Sequence, residues 1–124
     1  MREQVIQQRI RLELGQHPDL RIFRNTTGTC TDQRTGNFIR YGLAKGSSDL
    51  IGIRRITITP DMVGQTVGVF TSLEVKTDTG RPSPEQKAWL GMVQQLGGIA
   101  AIVRSPEDAA RVLGVTDRTG GSSG

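Results

Sequence analysis

The chain has 124 residues, a formal net charge of +4 and a sequence pI near 10.0, and this length fits one domain that buries a core without disulfide or metal staples. A single cysteine and a single histidine exclude a disulfide framework, a cysteine-based zinc site and a cluster of histidine metal ligands. No apolar run approaches the roughly 18 to 20 residues of a membrane span, and the N-terminus lacks a signal-peptide core, so we expect a reducing, cytoplasmic location.

The positive charge is concentrated in the first part of the chain. Residues 1–55 hold ten Lys or Arg and five Asp or Glu, whereas residues 56–124 hold six and seven, which gives +5 and −1. Such an imbalance favours a polyanionic partner, most often nucleic acid. Charge alone is a weak signal and is also compatible with a small α/β interaction domain whose basic residues only aid solubility.

The predicted elements begin with a helix. Ile6, Ile10 and Leu14 recur every four residues, which predicts a helix with one inward apolar stripe, and Glu3 lies on that stripe. "RIFRN" then predicts a short strand. The long segment that follows, up to Ser48, is rich in Gly, Thr, Ser and Asn and is predicted to be a loop with one short strand at "NFIRYG". Loops of this length in compact domains are more often functional than idle.

The second half predicts strands followed by helices. "DLIGIRRITITP" and "TVGVFTSLEVKT" are predicted to form an antiparallel hairpin across the turn "DMVGQ". "SPEQKAWLGMVQQLG" predicts a helix with Ser83 as N-cap and Pro84 at its first position. "GIAAIVR" predicts a strand and "SPEDAARVLG" a last helix. The order α-β-β-β-α-β-α around one central sheet predicts a mixed α/β (α+β) domain over residues 1–115, with a disordered polar tail at 116–124.

The stretch "LEVK" raises a chemical question, because successive strand residues face opposite sides and Glu74 and Lys76 therefore share one side. The predicted hairpin brings Asp49 beside Glu74. Two carboxylates at close range repel each other unless a cation lies between them or one stays protonated. Oxygen ligands without His or Cys favour Mg²⁺ or Mn²⁺, and Lys76 would neutralise charge in a transition state. The alternative is a solvated strand face with a weak ion pair.

Four motifs together, "SSDLIGI", "LEVKT", "GRPSPEQKAWL" and "GGIAAIVRSPEDA", resemble the virus-type replication–repair nuclease (VRR-NUC) family of the PD-(D/E)XK nuclease superfamily. The resemblance implies a restriction-endonuclease-like core and a Mg²⁺-dependent (or Mn²⁺-dependent) endonuclease that hydrolyses DNA phosphodiester bonds. It also implies branched DNA such as a Holliday junction or a flap as substrate, a homodimer, and a DNA-repair role in a bacterial or phage-infected cell. The alternative is a catalytically inactive nucleic-acid-binding module with a nuclease-like fold.

The resemblance also implies site residues by position. The implied metal ligands are Asp49, Glu74, the backbone carbonyl of Val75 and Glu3, and the implied catalytic residues are Asp49, Glu74, Lys76 and Gln86. Ser48 stands where the family usually has a proline before the aspartate. Gln86 has a competing interpretation as the partner of Ser83 in a capping box, and Glu3 has one as an acid that favours the helix dipole.

A second group of residues is predicted to contact nucleic acid. Arg24 and Asn25 end the first predicted strand, and Lys45, Ser47 and Ser48 precede Asp49 in a loop that contains glycine. Backbone amides and hydroxyl groups in such a loop are suited to hold a phosphate oxygen. Each of these residues is also compatible with an ordinary surface position.

Overall fold

The structure is a computed structural model that describes residues 2–115, so the predicted tail at 116–124 lies outside the described residues. The chain divides into two compact units, Met1–Arg54 and Arg55–Gly124. The first unit contains α1 (Glu3–Leu14), β1 (Leu20–Arg24), β2 (Gly28–Thr31), β3 (Phe38–Tyr41) and β4 (Leu50–Arg54). The second contains a 3₁₀ turn (Pro60–Met62), β5 (Thr71–Val75), α2 (Pro84–Gln95), β6 (Ile99–Val103) and α3 (Pro106–Leu113).

Two antiparallel strand pairs form the first unit. β1 pairs with β4 from Leu20 opposite Arg54 to Arg24 opposite Leu50. Ile53 of β4 lies opposite Arg21 and is 5% exposed, which makes it the buried apolar residue among the described residues of this unit. β2 and β3 form a separate antiparallel hairpin across residues 32–37. The predicted strand at "NFIRYG" is thus confirmed, and β2 is an additional strand that the Gly- and Thr-rich composition did not reveal.

Helix α1 forms where its spacing predicts, but its apolar stripe is not buried. Ile6 and Leu14 are exposed, and no residue of α1 is buried. The expectation of an inward-facing stripe is therefore wrong for the described residues of this unit. The physical reason is that no strand of this unit packs closely against α1, so the stripe has no surface to be buried against. The helix also borders a pocket of about 370 Å³ whose lining is polar: Gln4, Gln7, Gln8, Arg11 and Arg24.

The second unit is a β-α-β crossover with one further helix. β5 and β6 run parallel, from Thr71 opposite Ile99 to Val75 opposite Val103, as a crossover through a helix requires. α2 packs on β5 and β6, and α3 packs on β6. The buried apolar residues of this unit are Leu90, Val93, Leu96, Ala100 and Val103.

Two glycines explain how α2 gives way to β6. Gly97 has φ 88°, a left-handed conformation that ends the helix without the strain a side chain would bring. At Gly98, a Cβ atom would lie 2.7 Å from Cγ1 of Val93 and 2.8 Å from the carbonyl oxygen of Phe70. The "GG" pair therefore permits both the turn and the close approach of β6 to the helix.

The predicted hairpin between "DLIGIRRITITP" and "TVGVFTSLEVKT" is wrong. β4 takes β1 as its partner and β5 takes β6, and the described strands form three two-stranded sheets rather than one central sheet. Five strands precede α2 where the predicted order had three. Alternating β-branched residues such as Ile56 and Ile58 favour an extended backbone. A strand also needs a hydrogen-bonded partner, and this segment has none in the described sheets. Both isoleucine side chains are exposed. The mixed α/β class is confirmed, whereas the restriction-endonuclease-like topology stays a prediction.

Among residues 2–115, no helix combines the length and the apolar character that crossing a membrane requires.

Candidate active site

Strand β5 places Glu74 and Lys76 on one side, and their charged groups meet there. Nζ of Lys76 lies 3.6 Å from Oε2 of Glu74, and the two side chains are 22% and 29% exposed. Lys76 follows the last residue of β5, and its backbone N–H donates to the carbonyl oxygen of Val103 at 3.1 Å, which extends the ladder with β6. The pair is therefore held by the sheet and is partly shielded from water, unlike a solvated surface pair.

Gln86, at the start of α2, contacts the same carboxylate. Its Nε2 donates to Oε2 of Glu74 at 3.1 Å. The capping box also exists: Oε1 of Gln86 accepts the backbone N–H of Ser83 at 2.8 Å, and the backbone N–H of Gln86 donates to Oγ of Ser83 at 3.1 Å. Because the Ser83 N–H can only donate, the amide oxygen must face it, and the NH₂ group must then face Glu74. The capping box is therefore confirmed, and the same side chain also contacts Glu74; a catalytic role for Gln86 stays a prediction.

A second bond fixes α2 on the same face of β5. Nε1 of Trp89 donates to Oγ of Ser72 at 2.8 Å. Ser72 and Glu74 are two residues apart and therefore share a strand face. The helix is thus held at two points along β5, which sets the position of Gln86 relative to Glu74.

The carbonyl of Val75 points away from β6. In a parallel ladder alternate residues of a strand bond to a given neighbour, and here Phe70 accepts from Ile99 at 2.9 Å while Lys76 donates to Val103. The even-numbered residues of β5 thus face β6, and the carbonyl of Val75 is directed to the opposite edge. No further strand is bonded at that edge in the described sheet, so this oxygen is available to a ligand.

Arg104 was not among the predicted residues, yet it anchors the turn that follows Lys76. Its Nη1 donates to the carbonyl oxygen of Thr77 and, at 2.9 Å, to that of Gly80. A Cβ atom at Gly80 would lie 3.4 Å from Cβ of Lys76, so the turn lies against the Lys76 stem. An arginine directly after a predicted strand gives little sequence signal for this role.

Asp108 in turn holds the backbone at Arg104. Its Oδ2 accepts the backbone N–H of Arg104 at 2.9 Å, and its Oδ1 pairs with the guanidinium of Arg111. The Arg104 N–H, and next the Arg111 guanidinium, lower the pKa of Asp108 below its usual value. The bond from the Asp108 N–H to Oγ of Ser105 caps the same helix start.

In the first unit, Asn25 organises the loop that leads to Asp49. It is 9% exposed, and its Nδ2 donates to Oγ of Ser47 at 2.7 Å and to the carbonyl oxygen of Ser48 at 2.8 Å. Its Oδ1 accepts the N–H of Leu43 at 3.0 Å, and its backbone N–H donates to the carbonyl oxygen of Asp49 at 2.8 Å. Burial and these partners favour a positioning role for Asn25 over a direct contact with DNA.

The other predicted residues lie at the surface of the first unit. Asp49 is exposed and comes one residue before β4. Arg24, Lys45 and Ser48 are exposed, and Ser47 is half-buried with its hydroxyl oxygen bound to Asn25. Glu3 is exposed in the first turn of α1, where an acid favours the helix dipole.

A divalent ion fits the chemistry of the donor atoms. Both protein contacts of the Glu74 carboxylate go to Oε2, which leaves Oε1 without a protein partner among residues 2–115. No group of three or more His, Cys, Asp or Glu side chains in that range could hold a metal ion. Mg²⁺ keeps several waters and commonly takes only one or two carboxylates, so Glu74 and the Val75 carbonyl suit it. That Asp49 joins Glu74 at one ion stays a prediction.

The mixed α/β fold is consistent with a nuclease-like domain, and within it a strand glutamate contacts a lysine two residues on and a helix glutamine. The model of the VRR-NUC domain matches residues 1–107. The chain therefore belongs to the VRR-NUC family, as its motifs predict. Neither a search of curated proteins nor a search of solved structures found a match.

Proposed function

We propose that this protein is an endonuclease that hydrolyses DNA phosphodiester bonds with Mg²⁺ or Mn²⁺. One observation carries the proposal: a single oxygen of the Glu74 carboxylate, Oε2, contacts both the Lys76 ammonium and the Gln86 amide, in a chain of the VRR-NUC family. Membership of that family implies a nuclease-type function and DNA as the substrate. Asp49, Glu74 and the Val75 carbonyl are the groups that would hold the ion.

The contacts of the side chains support the following proposed roles. A divalent ion held there would act as a Lewis acid on a phosphodiester oxygen and would make water a better nucleophile at neutral pH. Lys76 places a partly shielded positive charge beside the reacting phosphate, where it offsets the negative charge that develops on the phosphate oxygens. Gln86 restrains Oε2 of Glu74, so that the carboxylate keeps one orientation.

We further propose branched DNA, such as a four-way junction or a flap, as the preferred substrate, and a homodimer whose two sites cut two strands. Family membership supports DNA as the partner, and the +5 charge of residues 1–55 supports electrostatic binding to the phosphate backbone. A bacterial or phage-infected cytoplasm is the expected setting.

Cleavage of labelled junction, flap, nicked and plain duplex DNA tests the proposal. We expect cutting with Mg²⁺ or Mn²⁺ and none with a chelator. Lys76→Ala should lower the rate by roughly 100-fold or more, the loss typical of removing one electrostatic stabiliser. Lys87→Ala is the matched control, because Lys87 is exposed on α2. This variant should cut DNA at the wild-type rate.

Two results would contradict the proposal. A folded Lys76→Ala variant that cuts at the wild-type rate would remove Lys76 from the chemistry. Wild-type protein that binds DNA but cuts none of the substrates with either metal would instead identify an inactive nucleic-acid-binding module.

A further inference from the structure

The β2–β3 hairpin presents a side that no part of the first unit covers. Directly opposite residues of an antiparallel pair lie on the same side, so the register divides the hairpin into two sides. We call one of them the hairpin face, and it consists of Thr29, Thr31, Phe38 and Arg40. The reverse side consists of Gly28, Cys30, Ile39 and Tyr41.

Phe38 has no packing role in the described structure. Its side chain is 83% exposed, whereas Tyr41 is 43% exposed. The Tyr41 ring lies across Gly28, where an added Cβ atom would collide with it. The reverse side thus uses its aromatic ring within the hairpin, and the hairpin face leaves its ring in water. An exposed aromatic ring on a rigid strand offers a flat surface for stacking.

The charge around Phe38 is positive. Arg40 is two residues further along the same side, and Arg34 lies in the turn between the strands. Among residues 2–115 neither guanidinium has an ion-pair partner. The acid of this turn, Asp32, accepts the backbone N–H of Arg34 at 2.8 Å, and the hairpin face itself contains no acid. An aromatic ring beside unpartnered arginines complements a base beside its phosphates.

We propose that the hairpin face binds unpaired DNA, with Phe38 stacking on one base and Arg40 contacting a neighbouring phosphate. This inference rests on the proposed function for the identity of the ligand, and it supplies a source of selectivity for branched DNA. In a continuous duplex the faces of the bases are covered by their neighbours, whereas a flap or a junction exposes them. A second copy of the chain is a poorer occupant, because a symmetric contact would bring like-charged arginines together.

The experiment measures DNA binding by the full chain in a chelator, so that no cleavage is needed. Fluorescence anisotropy compares a labelled single strand with a duplex of the same length. Phe38→Ala should weaken single-strand binding roughly five- to tenfold and change duplex binding less than about twofold. Phe38→Tyr, which keeps the ring, should retain the affinity. Ile39→Ala is the control on the reverse side and should leave both affinities unchanged.

A second measurement detects stacking directly. Phe38→Trp adds an indole to a protein whose sequence has one tryptophan, Trp89, so wild type supplies the background signal. We expect a single strand to quench the added fluorescence and a duplex to leave it nearly unchanged.

The inference is overturned if Phe38→Ala binds single strands as wild type does, or if the variant converts a dimer to a monomer in light scattering without weakening DNA binding. Its failure is distinct from failure of the proposed function. A protein that cuts branched DNA regardless of Phe38 would end this inference alone. A protein that loses single-strand binding with Phe38→Ala but never cuts DNA would end the proposed function alone.

Discussion

Gln86 links the start of a helix to the orientation of a carboxylate. Its amide oxygen closes the capping box with Ser83, and its amide nitrogen reaches Glu74. A short helix-start motif is local information, so "SPEQ" predicted the cap, and the alternation within "LEVK" predicted that Glu74 and Lys76 share one side of the strand. The sequence did not predict that one amide serves both, because that requires knowing how α2 lies on β5.

The two roles of Gln86 can be separated by substitution. Glutamate also closes a capping box, so Gln86→Glu should leave the free energy of unfolding within about 1 kcal/mol of wild type. It replaces the donor at Glu74 with a second carboxylate, which repels the first, so DNA cleavage should fall at least about tenfold. Denaturant unfolding and cleavage rates are the two measurements.

Ser83→Ala is the matched comparison for Gln86→Glu. Ser83→Ala removes the cap oxygen, so it should lower the free energy of unfolding by about 1 kcal/mol. Because it leaves the bond from Gln86 to Glu74 in place, it should lower the cleavage rate less than Gln86→Glu does. The opposite ordering of the two variants in the cleavage assay would contradict the assignment of Gln86 to the site.

Among the elements, helices were predicted well and strand pairing was not. Both α2 and α3 follow a Ser-Pro-Glu start, and each begins at the proline as predicted. Their signals lie within a few residues. Pairing of β4 with β1, and of β5 with β6, joins segments far apart in the chain, and no local pattern specifies such a partner. For the same reason Asn25 was predicted to contact nucleic acid, and the sequence did not indicate that its amide is largely buried against residues 43–48.

At the start of α3, the ionised Asp108 stabilises the fold through the Arg104 N–H and Arg111. Because its pKa is lowered in the folded state, its contribution is full above the ordinary Asp value of about 3.9 and is lost as the pH falls through the lowered folded pKa. Asp108→Asn should therefore lower the thermal midpoint at pH 7, and the gap to wild type should close below about pH 4.

Asp78→Asn serves as the control, since Asp78 is exposed in the turn after β5. We expect its thermal midpoint to follow that of wild type across the pH range. A gap for Asp108→Asn that stays constant down to pH 2 would show that the carboxylate charge is not what stabilises this helix start.

For the whole molecule, the charge imbalance has a measurable consequence. Basic side chains that neutralise several phosphates release the counterions bound there, so the affinity for duplex DNA should fall as the salt concentration rises. A plot of log affinity against log salt concentration should have a slope of roughly −3 to −5. Arg24→Gln in the basic first unit should reduce the slope by about one, and Arg81→Gln in the second should change it less. If the affinity for duplex DNA does not change with salt concentration, the basic residues do not bind the phosphate backbone of the DNA.

At this scale the family and the mixed α/β class were predictable, because motifs and composition are read along the chain. The division of the strands into three two-stranded sheets was not predicted, since the expectation was one central sheet. The long segment from residue 25 to 48 shows why. Its polar composition indicated a loop, yet it contains the β2–β3 hairpin, whose small strands bury little apolar surface and so leave little hydrophobic pattern in the sequence.

The one thiol of the chain, Cys30, is exposed on that hairpin and lies on its reverse side, directly opposite Ile39. A maleimide dye or a spin label attached there would occupy a single position without covering Phe38. The native sequence thus already carries a unique attachment point, so the approach of a DNA strand to the hairpin can be followed by energy transfer or paramagnetic broadening without removing any other cysteine.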